Sequence, residues 1–551
     1  MKEFGIPGVD MLCDRRELST VKQAESVSHQ MGRNGVMSEL YGVTGWDFDF
    51  RSHKLSGDWQ AALGVTLRVP HLTWVSMEGE AKRDYPASIG YQSPWYREYP
   101  YIENHFARLN TALTRGRPIV KVGVIHPIES YWLYWGNQRQ TSVVRQDLES
   151  DFTEVIQWLL YNFIDFDFIS CTDAFHMGGM TYEAVVVPQC HTIRSTTLHK
   201  LQEFAGHGGK VIFMGEPPRY VDAAFSEEPA LLAHQCTRIP YQRGPLLNSL
   251  RDLRDVDVEM NAVEGKDPTR VQQWETGVRA NNMFYQLRQD GDSRWLFLAH
   301  VNKPRNRDIT FMEKLDIHVR GRYQPVLYDT MTGEIHPVDA EYKEGWTRIP
   351  NYCSQYDSVL LRLQKTQGAI MGEKQIYTVP KNKLYLPEPQ SFTLDEKNVM
   401  LLDIAEYAFD SGPWNPQEEL LRIDNRFRRK LGYPLRMEAL AQPWVTKNEE
   451  KIEHTLHLRF TIFSDIAVPE VQFAMEHPEN AGIIWNGKQV SSEINGWYVD
   501  ESIQTIDLPD GVRKGPNSME LSIPFGPKTN VEWCYLLGSF GVSVAGREKK
   551  I

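Results

Sequence analysis

The sequence predicts a multidomain protein, α/β in its first part and all-β in its second. Three observations carry this. The chain has 551 residues, too many for one hydrophobic core, so three or four domains are expected. Apolar strand-like runs alternate with helical patterns up to about residue 240. From residue 241 onward, short alternating strands with turn signals take over.

Residues 1–116 read as three strand–helix units. Phe4–Leu12 is strand-like, and Ser19 or Thr20 can cap a helix running to about Arg33, with Gly32 and Gly35 marking its end. Val36–Tyr41 reads as the second strand, and Asp58 as the cap of a helix through about Leu63. His71–Met77 reads as the third strand, and a helix from about Tyr96 to Leu113 ends at Arg115-Gly-Arg-Pro118. Three units are too few to close an eight-fold barrel. An open sheet with helices on one side is expected, and its free strand edges predict self-association of the chain.

Residues 117–240 form a second α/β segment. Ile119–His126 is largely apolar, as a buried parallel strand would be. A helix near Asp151–Tyr161 and a strand Phe166–Ser170 follow, then a strand Ala184–Val187, a helix Thr196–Ala205 and a strand Lys210–Met214. This order predicts a doubly wound, flavodoxin-like domain. The turn Gly206-His-Gly-Gly209 precedes a strand, whereas a phosphate loop follows one and opens a helix, so nucleotide binding is not expected.

Residues 241–365 predict a small β-sandwich, with Trp295–Asn302 and Val359–Leu363 as strands and a turn at Met331–Glu334. Residues 366–390, with Pro380, Pro387 and Pro389, read as a linker. Residues 391–551 predict a second sandwich. Glu453–Phe463 alternates, and Asn486-Gly487 after Ile483–Trp485 is a hairpin signal. The last strand, Tyr535–Ala545, is followed by Arg547–Ile551 with no closing element. The chain starts almost inside a strand, so both ends read as cut.

A net charge of −12 without a long basic block argues against nucleic acid or an anionic membrane as partner. No apolar run reaches a membrane span, and the N-terminus lacks a signal-peptide core. Cys13, Cys171, Cys190, Cys236, Cys353 and Cys534 form no CxxC, so free thiols in a reducing compartment are expected. A cytoplasmic location follows, unless an upstream leader is missing. The aromatic share of 11 % suits carbohydrate binding, although large β-rich cores also use aromatics.

Chemistry concentrates in Val36–Asp47. Glu39 ends an apolar run, and a loop with Tyr41, Trp46, Asp47 and Phe48 follows. A strand-end carboxylate ringed by flat aromatics suits sugar chemistry, as base, nucleophile or partner of an oxocarbenium-like centre. A structural salt bridge at Glu39 is the alternative. Asp10 ends the first strand at the same rim, to hydrogen-bond a sugar or to cap a turn. Glu78 and Glu80 follow the third strand, as a second carboxylate and a sugar ligand, or as ion-pair partners of Lys82 or Arg83. His71 is a substrate contact or a satisfied structural histidine. Trp46 is a platform candidate or a loop anchor, and Trp74 fits core filling better. Asp47 and Asp49 can bind a cation, but two acids do not make an EF-hand loop. Glu493 and Trp497 flank a turn that is lectin-like or merely structural.

Four stretches together resemble the α-L-rhamnosidase-type glycoside hydrolases of family 106. They are Ser38-Glu-Leu-Tyr-Gly with Gly45-Trp-Asp47; Gly57-Asp-Trp59; His71 with Ser76-Met-Glu-Gly-Glu80 and Lys82-Arg-Asp-Tyr-Pro86; and Ser93-Pro-Trp95. The resemblance spans most of residues 1–365. It implies a glycosidase with a full (β/α)8 barrel, of which residues 1–116 would be the last three units, then an α/β domain and β-sandwiches. The last of these resembles a galactose-binding jelly roll at Trp485-Asn-Gly-Lys-Gln-Val490 and Gly496-Trp-Tyr-Val-Asp500. It implies a catalytic role for Glu39, with the acid partner on an earlier strand, so that this chain alone has little activity unless Glu78 supplies the acid. It implies oligo- or polysaccharide substrates containing rhamnose, no organic cofactor, and calcium in some members with no ligands mapped here. A non-catalytic carbohydrate-binding or scaffold protein is the rival reading.

Overall fold

The computed structural model describes residues 3–85, 87–169, 176–177, 180–261, 278–307, 311–376, 393–436 and 452–551. The chain divides into two units, Met1–His71 with Glu98–Asn382, and Leu72–Arg97 with Lys383–Ile551.

The first unit opens with a parallel sheet of β1 (Gly8–Met11), β2 (Val36–Leu40) and β3 (Val65–Pro70), in that order. Helices α1 (Leu18–Gln30), α2 (Phe50–Ala61) and α3 (Pro100–Leu113) accompany it. One face turns Val9, Met11, Val36, Ser38 and Leu40 inward, where Ser38 Oγ donates to Gln60 of α2 at 2.6 Å. The other face carries Asp10, Met37, Glu39, Leu67 and Val69, aligned by the register Asp10–Glu39–Val69. Leu67 is 46 % and Val69 40 % exposed. A parallel sheet ordinarily has both faces covered, so this face is unusual.

Three local expectations are corrected. The first strand is Gly8–Met11 rather than Phe4–Leu12. The third strand is Val65–Pro70, not His71–Met77, because the alternating β-branched run comes earlier and Pro70 lacks a donor to continue the ladder. Asp58 does not cap a helix. Asp49 does, accepting from Ser52 N at 2.8 Å, while Asp58 lies inside α2, buried between Lys54 (2.7 Å) and His105 (2.6 Å).

A five-stranded parallel sheet follows, in the order 237–239, 210–214, 184–187, 122–125, 166–169. Its three central strands are wholly or largely buried, as strands covered on both faces must be. Helices α4 (Ile128–Leu133) and α5 (Gln138–Leu160) lie between its first two strands in sequence, and α6 (Ser195–Gly206) precedes Lys210–Met214. Two larger antiparallel sheets follow, with Val258, Leu287, Leu296, Leu315, Ile317 and Leu361 in one core.

The second unit holds a five-stranded and an eight-stranded sheet around a core that includes Leu458, Phe460, Phe473, Trp485, Leu521 and Leu536. Asn486 and Gly487 both have positive φ (50° and 79°), the conformation a two-residue hairpin needs. The C-terminus differs from expectation: Tyr535–Ala545 is not one strand, and Glu548–Lys550 pairs with Ser543–Ala545. Residues 72–97 also belong to this unit. Lys82 pairs with Glu476 and with Glu532 at 3.0 Å, Arg83 with Glu532 at 2.6 Å, and Glu80 with Arg436 at 2.9 Å. These are mostly buried pairs, which only partner groups of opposite charge make tolerable. The prolines of the expected linker lie outside the described residues.

Candidate functional site

The C-terminal ends of β1 and β2 place two carboxylates side by side. Asp10 and Glu39 are register partners on adjacent parallel strands and face the same way. Ligands of open α/β sheets bind outside these carboxyl ends. His71 follows β3, donates its backbone N–H to Leu40 O at 3.0 Å, and sets Nε2 3.8 Å from Glu39 Oε1. The Glu39 side chain is 40 % exposed, so it is not locked into a buried salt bridge.

Gly42 makes this approach feasible. A Cβ there would sit 2.7 Å from the His71 ring and 2.8 Å from Leu12 Cδ2. Gly42 O also accepts from Cys13 N at 3.0 Å, tying the loops after β1 and β2 together. Those loops hold four non-glycine residues at positive φ: Cys13 (57°), Asp14 (51°), Tyr41 (73°) and Val43 (58°). For β-branched Val43 this is costly, and such strain concentrates at ligand sites.

Tyr41 is buried rather than presented to a ligand. Its hydroxyl donates to His53 O at 3.3 Å and accepts from Arg68 Nη1 at 3.1 Å, and burial pushes its pKa up to about 12. Its ring lies 4.5 Å from that of His53, whose imidazole burial holds down at about 4. Tyr41 therefore anchors the loop, which corrects its expected substrate contact. Trp46 is half-buried in the loop and Asp47 is exposed. Asp49 caps α2, accepting from Ser52 N, and pairs with Arg51 at 3.0 Å. Among the described residues, no group of three or more His, Cys, Asp or Glu is arranged to hold a metal ion.

Glu78 and Glu80 belong to the second unit. Glu78 Oε1 lies 2.9 Å from His477 Nε2, and this bond helps hold the imidazole above its usual pKa. Glu80 pairs with Arg83 at 3.8 Å, one of the partners expected from sequence, and more closely with Arg436 at 2.9 Å. The reading of both residues as following a strand end fails because that strand ends at Pro70. Trp74 is likewise buried in the second unit, its indole N–H donating to Ala81 O at 2.8 Å. Trp497 is 51 % exposed and meets Tyr91 edge-on at 5.8 Å.

Sequence reasoning missed Arg68 and Lys303. Arg68 bridges Tyr41 to Glu103 (2.7 Å) with its guanidinium 3.7 Å from the Phe106 ring. Lys303 pairs with Asp14 at 2.7 Å and brings a cation from the sandwich to the loop after β1. Arg16 of the same loop donates to Val301 O at 2.9 Å. No local pattern marks these residues; the contacts span 27 to 289 positions.

No protein-family model and no curated protein matches the chain. Among solved structures it is similar to a rhamnosidase from Novosphingobium sp. PP1Y, at 15 % identity and a TM-score of 0.48, covering 96 % of this chain and 47 % of that one. It is similar to α-L-fucosidase isoenzyme 2 from Paenibacillus thiaminolyticus at 9 % identity and a TM-score of 0.41, covering 65 % of each chain. It is also similar to a β-galactosidase from Bacillus circulans sp. alkalophilus at 13 % identity and a TM-score of 0.38, covering 66 % of this chain and 60 % of that one. The chain thus spans about half the length of the first and under two thirds of the other two. No helix among the described residues is long and apolar enough to cross a membrane.

Proposed function

We propose that the chain carries a glycosidase-type site at the rim of β1 and β2, with Glu39 as the nucleophile or general base and Asp10 accepting hydrogen bonds from sugar hydroxyls. The observation that carries this is the pairing of the two carboxylates at adjacent strand ends, just before loops that hold residues in left-handed backbone. Strands about 4.8 Å apart bring both acids within reach of one sugar ring. His71, 3.8 Å from Glu39, orients that carboxylate. Trp46 offers a partly exposed ring face in the same loop, and Asp47 a further polar contact. The motif resemblance extends the proposal to rhamnose-containing glycans and to a galactose-binding role for the last sandwich.

Hydrolysis of an unactivated glycoside also needs a general acid, worth about 10²–10⁴-fold. Glu78 is engaged with His477, so the proposal does not retain it as that acid. The expectation is a chain that cleaves aryl glycosides with good leaving groups, which need no protonation, and fails on alkyl glycosides. A panel including 2,4-dinitrophenyl α-L-rhamnoside, β-D-galactoside and α-L-fucoside tests it, with Glu39→Gln as the control. Turnover lost in Glu39→Gln supports the site. The half-exposed Glu39 on an uncovered sheet face favours the rival reading, a carbohydrate-binding protein without catalysis. Glycan binding with no cleavage of any activated glycoside would establish that rival.

A further inference from the structure

We infer that the groove along α5, beside Tyr131 and Trp135, is a second carbohydrate site, built for a neutral glycan and independent of Glu39. Its anchor is Arg145. The guanidinium carbon lies 5.1 Å from the Trp135 ring centroid and 5.8 Å from that of Tyr131, and the two rings are 6.1 Å apart. Among the described residues, no carboxylate lies within ion-pair distance of Arg145, and its buried Nε has no hydrogen-bond partner. Trp135 is 70 % exposed, a large apolar face left in water.

The groove is a shallow feature open to solvent, with a volume of about 710 Å³. Arg145, Gln138, Ser142, Gln146 and Glu149 line it. These groups supply donors and acceptors in a mixture. The carboxylates of Glu149 and Glu154 in the lining select against a phosphate, sulfate or uronate. The polar walls offer nothing to a purely apolar ligand. A polyhydroxylated ring fits both features, its hydroxyls on the amides, the guanidinium and the carboxylate of the lining and its C–H face toward Trp135, which stands beside the groove against Arg145. The site stands on α4 and α5, elements that contribute nothing to the Asp10–Glu39 rim.

The test is affinity electrophoresis of the full chain in gels containing galactan, arabinan, xyloglucan, mannan or dextran, with polygalacturonate as the anionic control. Retardation by at least one neutral polysaccharide is expected. Trp135→Ala and Arg145→Gln should each weaken it about tenfold or more, as removal of a central anchor does, while Trp135→Phe keeps most of it. Thermal melts equal to the parent establish that the variants fold. Trp135→Ala should leave aryl glycoside turnover unchanged, so the two sites fail separately. No retardation in any neutral gel overturns the inference, as does retardation unaltered in both Trp135→Ala and Arg145→Gln, or retardation by polygalacturonate alone. Light scattering completes the test: if Trp135→Ala changes only the oligomeric state, the aromatic patch is a self-association surface and the glycan site is refuted.

Discussion

Replacing Lys22 by methionine should destabilise the first unit by about 3–5 kcal/mol at about pH 8, because it strips the cation from a buried ionic cluster. Lys22 on α1 is fully buried. Its ammonium pairs with Glu25 and lies 2.7 Å from Asp165, while His29 Nδ1 lies 2.9 Å from Asp167. Two cationic groups thus face three acids, and one carboxylate is in excess. Burial pushes Glu25 from 4.5 up to about 7, against the pull of Lys22. Burial also pulls His29 down, but Asp167 and Glu25 outweigh it, and its pKa ends above the usual value. Folded Glu25 keeps a proton that the unfolded chain has released between pH 4.5 and about 7, so stability falls as pH rises through that window. At 1.36 kcal/mol per unit the fall is at most about 3 kcal/mol. The His29 contribution has the same sign: it is complete below the unfolded value of 6.5 and lost as pH rises through the higher folded value. Removing Lys22 should therefore cost less at about pH 5, where Glu25 takes up a proton, than at pH 8. Calorimetric melts of the full chain at both pH values measure this. At about 2.1 cal/mol/K of unfolding entropy per residue, a unit of this size shifts by about 1.3 °C per kcal/mol, so the first unit's transition should drop by about 4–7 °C at pH 8. Glu25→Gln, which removes the excess acid, should flatten the pH dependence. A Lys22→Met chain melting within about 2 °C of the parent at pH 8, or losing equally at both pH values, would refute the reasoning.

Three further outcomes are expected. Gly42→Ala places a methyl against the His71 ring and Leu12, and should cost about 1–3 kcal/mol in a urea titration while shifting the His71 ring resonances; unchanged resonances would show that the close approach does not position His71. Leu67→Lys with Val69→Lys charges the bare sheet face and should lower self-association in light scattering, whereas a parent chain that is already a clean monomer counts against association through this face. In the second unit, Lys82→Met leaves Glu476 and Glu532 buried without their shared cation and should cost about 3–5 kcal/mol in that unit's thermal transition, an effect absent if the carboxylates find other partners.

The sequence alone determined what local periodicity encodes. The parallel strands around Val36–Leu40, Val122–Ile125 and Lys210–Met214 were legible because apolar runs of that length bounded by turn residues admit little else. Asn486-Gly487 announced its hairpin through two residues that accept positive φ. Glu39 stood out because an acid at the end of an apolar strand has no local reason to be there. Tertiary structure decided the rest. Residues 72–97 look like a continuation of the strand–helix alternation, but Lys82, Arg83 and Glu80 find their counter-charges at Glu476, Glu532 and Arg436, hundreds of positions away, and those pairs fix where the segment packs. Tyr41 reads as an exposed ring until the contacts of Arg68 and His53 show it buried. Local pattern fixes which face of a strand is apolar; only the packed molecule fixes which charges meet, because electrostatic partners are chosen by proximity in space and leave no periodic trace along the chain.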